Sequence, residues 1–125
     1  MDIPKELKYT DEHEWILLED DVATIGITDY AQGELGDIVF IELPNVGDEA
    51  TQNEPFGTIE AVKAVSDLFA PLSGEVAEVN SLLEDQPELI NQDAYGKGWI
   101  IKIKISDKSE MDALLSPDAY KNQIS

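Results

Sequence analysis

The segment Ile59-Glu60-Ala61-Val62-Lys63-Ala64-Val65-Ser66-Asp67 holds one lysine among small apolar residues, and the turn-rich stretch Ala70-Pro71-Leu72-Ser73-Gly74 follows it. Lys63 is the one cationic residue between Lys8 and Lys97, in a chain without arginine. An amine isolated in this way is typical of a lysine presented for covalent modification. The charge pattern alone favours an ordinary surface lysine in an amphipathic segment, so the rest of the sequence has to decide.

Length and charge limit the possible functions. At 125 residues and 42% hydrophobic, the chain predicts a single domain over 1–125 with a modest core. Its 27 acidic residues against 8 lysines give a net charge of −19, which argues against nucleic acid and anionic membranes as partners. The sequence has no apolar run of membrane-spanning length and no signal-peptide pattern at its start, so we expect a bacterial or archaeal cytoplasmic protein.

The residue types that carry most enzyme chemistry are scarce. The chain has no cysteine and one histidine, His13, so it offers no disulfide, thiolate or histidine-based metal site. The acidic cluster Glu19-Asp20-Asp21 lacks the spacing and glycine of a calcium loop, which predicts a solvated turn. No nucleotide-binding or nucleophile motif is present. These absences argue against a self-sufficient enzyme and predict no metal.

The apolar residues recur mostly with a period of two, so the fold should be mainly β. The predicted strands are 15–18, 22–27, 37–43, 56–61, 65–69, 76–79 and 99–105, the first two forming a hairpin. Around Lys63 the pattern is ambiguous, because Ile59, Val62, Val65 and Phe69 also fall at helical spacing. Residue preferences do not resolve strand from helix there.

Short helices should flank the strands. Thr28 is placed to cap a helix over 29–35, and C-terminal helices are predicted at about 109–122, as two pieces over 109–115 and 116–120. Ser81 with Glu84 resembles a capping box, which predicts short helix within 80–91, interrupted at Pro87.

Over nearly its whole length the chain resembles the H proteins of the glycine cleavage system. The matching stretches are Leu7-Lys8-Tyr9-Thr10, His13-Glu14-Trp15, Ala23-Thr24-Ile25-Gly26-Ile27-Thr28-Asp29, Leu35-Gly36-Asp37-Ile38-Val39-Phe40, Leu43-Pro44, Gly57-Thr58-Ile59-Glu60-Ala61-Val62-Lys63-Ala64, Ser66-Asp67, Ser73-Gly74-Glu75-Val76, Asn80, Leu89-Ile90-Asn91, Tyr95-Gly96, Gly98-Trp99-Ile100-Ile101-Lys102-Ile103 and Ser106-Asp107.

The resemblance implies a lipoyl/biotinyl-type barrel-sandwich of two antiparallel sheets, with a lipoyl hairpin at about 56–70 and Lys63 exposed at its tip. It implies lipoic acid in amide linkage to Lys63, attached by a lipoate-attaching enzyme. The chain would then be a non-catalytic carrier. It would take an aminomethyl group from glycine decarboxylase to an aminomethyltransferase and be reoxidised by dihydrolipoyl dehydrogenase.

In this family the loaded arm folds into a surface cleft, and the resemblance places two of its contacts at Glu14 and Asp67. Either residue could equally be a solvated acid in so acidic a chain. Glu12 and Glu34 depart from the family pattern, which more often has a smaller polar residue and a histidine there. Two further departures are alanines: Ala94 in place of a common proline, and Ala70 in place of a common serine.

The aromatic side chains near this region are expected to serve packing. His13 should be packed and hydrogen-bonded in place, although it could also touch the cleft. Trp15 and Trp99 should be core or sheet-packing residues.

Three alternatives compete with this interpretation: a biotinyl carrier, a lipoyl domain of another complex, and an H-like lipoyl donor. Biotin acceptors usually have methionine on both sides of the lysine, whereas Val62 and Ala64 flank it here. Lipoyl domains of 2-oxo acid dehydrogenases usually adjoin linkers and catalytic domains, and this sequence of 125 residues predicts neither. An H-like protein that donates lipoyl groups to other enzymes without supporting glycine cleavage fits the same residues.

Overall fold

A six-stranded antiparallel sheet forms one side of the molecule in the computed structural model, which describes residues 3–124. Its strand order is β1-β2-β3-β9-β8-β5. The strands are β1 Lys8–Tyr9, β2 Glu14–Glu19, β3 Val22–Ile27, β5 Glu49–Ala50, β8 Gly74–Val79 and β9 Ile101–Ile105. The predicted hairpin is confirmed, since β2 and β3 pair across the Glu19-Asp20-Asp21 turn.

A second antiparallel sheet, of order β4-β6-β7, carries the segment around Lys63. Its strands are β4 Ile38–Glu42, β6 Pro55–Ala61 and β7 Val65–Phe69. The segment around Lys63 therefore forms two strands and a turn, and the helical alternative is wrong. Two sheets with short helices confirm the lipoyl-type fold, although neither sheet closes on itself within residues 3–124.

The helices largely follow their predicted signals. They are α1 Asp29–Leu35, α2 Leu82–Asp85, α3 Leu89–Gln92, α4 Pro117–Ile124 and a 3₁₀ helix at Lys108–Ala113. The Thr28 hydroxyl caps α1 by accepting a bond from Ala31 N–H at 3.2 Å. The predicted break near Pro87 is confirmed, because α2 and α3 are separate.

The predicted capping box at Ser81 is wrong. An N-cap side chain reaches the helix amides from extended backbone, but Ser81 has the helical values φ −66° and ψ −16° and makes no side-chain cap bond. The adjacent Asn80 is buried instead, and its amide donates to the carbonyls of Lys97 and Trp99, both at 2.8 Å.

The core lies between the two sheets. Ile25 and Ile103 from the large sheet and Ile41 and Ile59 from the small one are each at most 3% exposed and belong to one cluster. In β9 the isoleucines face inward and the lysines outward, as the alternation predicts. Burial on one face fixes the register of the small sheet, and thereby the position of the turn at Lys63.

A second cluster joins the chain ends to the large sheet. It contains Leu7, Tyr9, Trp15 and Tyr120. The Trp15 indole donates to the Ala94 carbonyl at 2.9 Å and crosses β3 at Gly26, where an added Cβ would lie 2.6 Å from the indole nitrogen. Trp15 is therefore a packing residue, as predicted, and Trp99 packs partly buried against the same cluster.

Candidate functional site

Lys63 lies in the exposed turn between β6 and β7. The turn is closed by a bond from Ala61 N–H to the Ala64 carbonyl at 2.8 Å. A second bond, from Val62 N–H to the Asp37 carbonyl at 3.0 Å, ties the turn to the start of β4. Two backbone bonds in so short a turn hold the lysine backbone in place while the side chain stays exposed.

The stem of the Lys63 side chain runs beside the end of α1. A Cβ built on Gly36 would lie 3.4 Å from Lys63 Cε. Gly36 has φ 84°, a left-handed conformation that glycine adopts without strain, and its N–H caps α1 by donating to Gln32. The positive φ is therefore the reason for glycine at this helix end, and the Lys63 stem lies within van der Waals distance of a Cβ at this position.

A cleft of about 280 Å³ opens between the start of β2, helix α1 and the edge strand β7, and we call it the acidic cleft. Both predicted contacts, Glu14 and Asp67, line it, as do the departures Glu12 and Glu34. The full lining is Glu12, His13, Glu14, Ile27, Tyr30, Ala31, Glu34, Leu35, Ile59, Ser66, Asp67 and Leu68. Four carboxyl groups and several apolar side chains suit a ligand with an alkyl body and a cationic end.

Glu14 is the unusual carboxyl of the acidic cleft, because its side chain is only 2% exposed. Its carboxyl accepts a bond from the Thr10 hydroxyl and another from Phe69 N–H, both at 3.0 Å. Burial raises the pKa of Glu14 from 4.5 to about 8, against the lowering effect of these two bonds, and the nearby Glu12 and Asp11 raise it further. Asp67, in contrast, is exposed.

The substitution Glu14→Gln should flatten the pH dependence of stability. The pKa of Glu14 is about 8 in the folded chain, against the ordinary value of 4.5 expected in the unfolded chain. Between pH 4.5 and pH 8 the folded chain therefore binds more protons than the unfolded chain, so its stability falls as pH rises. This loss is at most about 1.4 kcal/mol per pH unit. Urea unfolding at pH 5, 6.5 and 8 should show the wild type losing stability relative to Glu14→Gln. Parallel curves for the two proteins would contradict a buried, protonated Glu14, and Asp67→Asn provides the exposed control.

His13 connects the acidic cleft to the C-terminal helix. It has φ 67° and lies in the turn before β2, where its ring stands 4.9 Å from that of Tyr30. Its Nδ1 lies 3.0 Å from the hydroxyl of Tyr120, which is also 2.7 Å from the Thr28 hydroxyl. The expected packing role of His13 is confirmed, and its ring also forms part of the cleft wall.

Several residues of the site were absent from the sequence prediction. Thr10 and Phe69 bind the Glu14 carboxyl, Tyr30 and Leu35 line the cleft, and Tyr120 holds His13. Helical periodicity in α1 could have indicated that Ala31 and Leu35, four residues apart, share one face. The contact of Phe69 with Glu14 goes through a backbone amide, for which a sequence carries no signal.

Within residues 3–124, no group of three or more acidic or histidine side chains is arranged to hold a metal ion. No helix in this range is long and apolar enough to cross a membrane.

Comparison with known proteins identifies the family. The family model described as "Glycine cleavage H-protein" matches residues 7–125. The chain is 56% identical to the glycine cleavage system H protein of Staphylococcus carnosus, covering 99% of this chain and 98% of that protein. It is 57% identical to that of Carboxydothermus hydrogenoformans, covering 98% and 94%. A crystal structure of a glycine cleavage system H protein from Mycobacterium marinum matches with a TM-score of 0.88 at 37% identity, over 98% of both chains. The chain belongs to the glycine cleavage H-protein family.

Proposed function

We propose that this chain carries a lipoyl group on Lys63 and serves as the carrier subunit of a glycine cleavage system. The observation that supports this most directly is the placement of Lys63. It is exposed at a turn held by two backbone bonds, and its stem runs along the helix that forms one wall of the acidic cleft.

The residues of the acidic cleft fit a lipoyl arm and its cargo. Leu35, Ile59 and Leu68 provide apolar surface for an alkyl chain, and Glu14 and Asp67 provide carboxylates for an amine. When bound, the lipoyl group supplies a disulfide that can take up the aminomethyl group and the reducing equivalents, chemistry for which this cysteine-free chain has no side chain of its own.

Glu14 and Asp67 are suited to different parts of this task. Glu14 is fixed by Thr10 and Phe69 in a sheltered position, so a cationic amine that displaces its proton makes a strong, charge-assisted bond with the carboxylate. Asp67 lies on the exposed edge strand, where water screens its charge and weakens the interaction. Glu14 therefore retains the amine, and Asp67 assists at the cleft entrance.

The partners follow from the carrier role. We propose that the chain exchanges cargo with glycine decarboxylase, an aminomethyltransferase and dihydrolipoyl dehydrogenase, is loaded by a lipoate-attaching enzyme, and catalyses none of these reactions itself. Attachment of the reactive group to a tether raises its effective concentration at each partner. The relatives named above are bacterial, and we propose the bacterial cytoplasm as the location.

Protein made in a lipoylating host should gain the mass of one lipoyl group, and peptide mapping should place it on Lys63. The reason is position, because Lys63 lies at the turn between β6 and β7, whereas Lys8 lies in β1 and Lys97 in the turn before β9, although both are also exposed. The measurement is intact-mass spectrometry followed by proteolytic mapping. Lipoyl found on Lys8 or Lys97 with none on Lys63, or no mass gain at all, would reject the proposal.

A further inference from the structure

We propose that four exposed apolar side chains around Lys63 form the surface by which the acylating enzyme recognises this chain. These are Val39, Phe40, Val62 and Val65, which we call the tip patch; they are 50%, 52%, 72% and 66% exposed. The inference rests on the proposed attachment of a lipoyl group to Lys63. It adds a docking surface and assigns it to one partner.

The register of the small sheet places two members of the tip patch, Phe40 and Val65, on the same outer face with Glu60 between them. Phe40 lies opposite Glu60, and Glu60 lies opposite Val65, so the three form one row on the outer face. Directly opposite residues have their Cβ atoms about 5 Å apart. Val62 follows within the turn, where its N–H bonds the Asp37 carbonyl just before β4.

A bulge in β4 puts two consecutive apolar residues on the outer face. Ile38 and Ile41 are three residues apart, yet both are 3% exposed and face the core. Strict alternation cannot do this, and the register shifts between Ile38 and Phe40 to allow it. Val39 and Phe40 therefore both lie on the outer face. Charged side chains at these two exposed positions would not be buried, so packing does not require apolar residues there.

Exposed apolar patches are a mark of interaction sites, and the tip patch adjoins the lysine that is to be acylated. Acylation is the step that demands close approach to the turn itself. The neutral amine of Lys63 attacks the carbonyl carbon of a lipoyl group activated as a mixed anhydride with a nucleotide phosphate. The C–N bond forms, the acyl C–O bond breaks, the proton passes to a base on the enzyme, and the nucleoside monophosphate leaves.

The position of that reaction selects the partner. An acylating enzyme must bring its bound carbonyl to Lys63 Nζ, so its surface covers the side chains around the turn. Enzymes that act on the far end of a lipoyl arm meet the cargo at the full length of the tether and need not cover the turn. The tip patch is therefore assigned to acylation.

The charges around the tip patch indicate what its partner's surface contains. Asp37, Glu42, Glu60 and Asp67 are all exposed on or beside the same sheet. A complementary partner surface carries apolar side chains opposite the tip patch and basic side chains opposite these acids, including one opposite Glu60. The same acids oppose the pairing of this face with a second copy of the chain, which carries a net charge of −19.

The test measures acylation kinetics of the full-length apo chain with a lipoate ligase, lipoic acid and ATP. The variant is the triple substitution Val39→Thr, Val62→Thr and Val65→Thr, which keeps side-chain shape but removes apolar surface. We expect kcat/KM for acylation to fall roughly tenfold or more, as for central interface positions. The single variant Phe40→Ser should show a smaller loss of the same kind.

The matched control is Val46→Thr, because Val46 is 63% exposed in the turn beyond the opposite end of β4. Its acylation should match the wild type. Equal acylation of all variants, with the wild type modified at Lys63, would overturn the tip patch and leave the proposed function standing. A wild type that accepts no lipoyl would overturn both.

Two further outcomes would reassign the tip patch. Normal acylation of the triple variant combined with slower glycine cleavage after full lipoylation would assign it to the cleavage enzymes. A wild-type dimer in sedimentation that the triple variant abolishes would make it an interface between copies. Unchanged urea unfolding midpoints confirm that each variant is folded, as expected for exposed substitutions.

Discussion

Replacing Lys63 with arginine should abolish lipoylation and reduce the chain's activity in a reconstituted glycine cleavage assay to background. Arginine keeps the positive charge and most of the side-chain stem, including the part that lies beside Gly36. Its guanidinium stays protonated and cannot act as the amine acceptor. Because the position is exposed, the free energy of unfolding should change by less than about 0.5 kcal/mol.

The measurement combines intact mass after incubation with a lipoate ligase and glycine–bicarbonate exchange with the other purified components. Lys97→Arg is the control, since Lys97 is also exposed but lies in the turn before β9. This control should be lipoylated and active like the wild type. Lipoylation of Lys63→Arg at the normal stoichiometry would show that the acceptor is elsewhere.

Most of the fold could be predicted because its signals are local. The alternation in β9 and the capping threonine before α1 each express a short-range physical rule, and both are confirmed. The segment around Lys63 was ambiguous because its apolar residues satisfy two periods. Pairing with β4 decides it, and that pairing depends on residues about twenty positions away.

The sequence prediction assigned Glu14 and Asp67 to one cleft, but it gave no account of the environment of either side chain. Glu14 and Asp67 do line one cleft, but their unequal burial depends on Thr10, Phe69 and helix α1. At Ser81 the local motif is present but the predicted cap does not form. Ser81 has helical backbone angles and makes no cap bond, and the adjacent Asn80 is buried with its amide bonded to the Trp99 carbonyl. Tertiary contacts thus determine how deeply a site residue is buried and whether a capping motif forms its hydrogen bonds.

The unequal burial of Glu14 and Asp67 predicts unequal effects on retention of the aminomethyl cargo. We expect Glu14→Gln to shorten the lifetime of the loaded carrier roughly tenfold or more at pH 8.5, since a sheltered charge-assisted bond contributes about 1.5–3 kcal/mol. Asp67→Asn should have a smaller effect, because exposed pairs contribute at most about 1 kcal/mol. The measurement is the release of ammonia and formaldehyde from carrier loaded to matched levels.

The effect of Glu14 should also depend on pH in a defined direction. With a pKa of about 8, the carboxyl of the unloaded chain is largely protonated at pH 6.5, so a cationic amine must displace that proton before it gains the full attraction. The fraction of charged Glu14 rises through pH 8, and the attraction rises with it. The lifetime of the wild type relative to Glu14→Gln should therefore increase between pH 6.5 and pH 8.5, while the ratio of Asp67→Asn to wild type stays nearly constant. A wild-type to Glu14→Gln ratio that stays at one across this range would mean that the buried carboxyl does not hold the cargo, and the candidate site would reduce to Lys63.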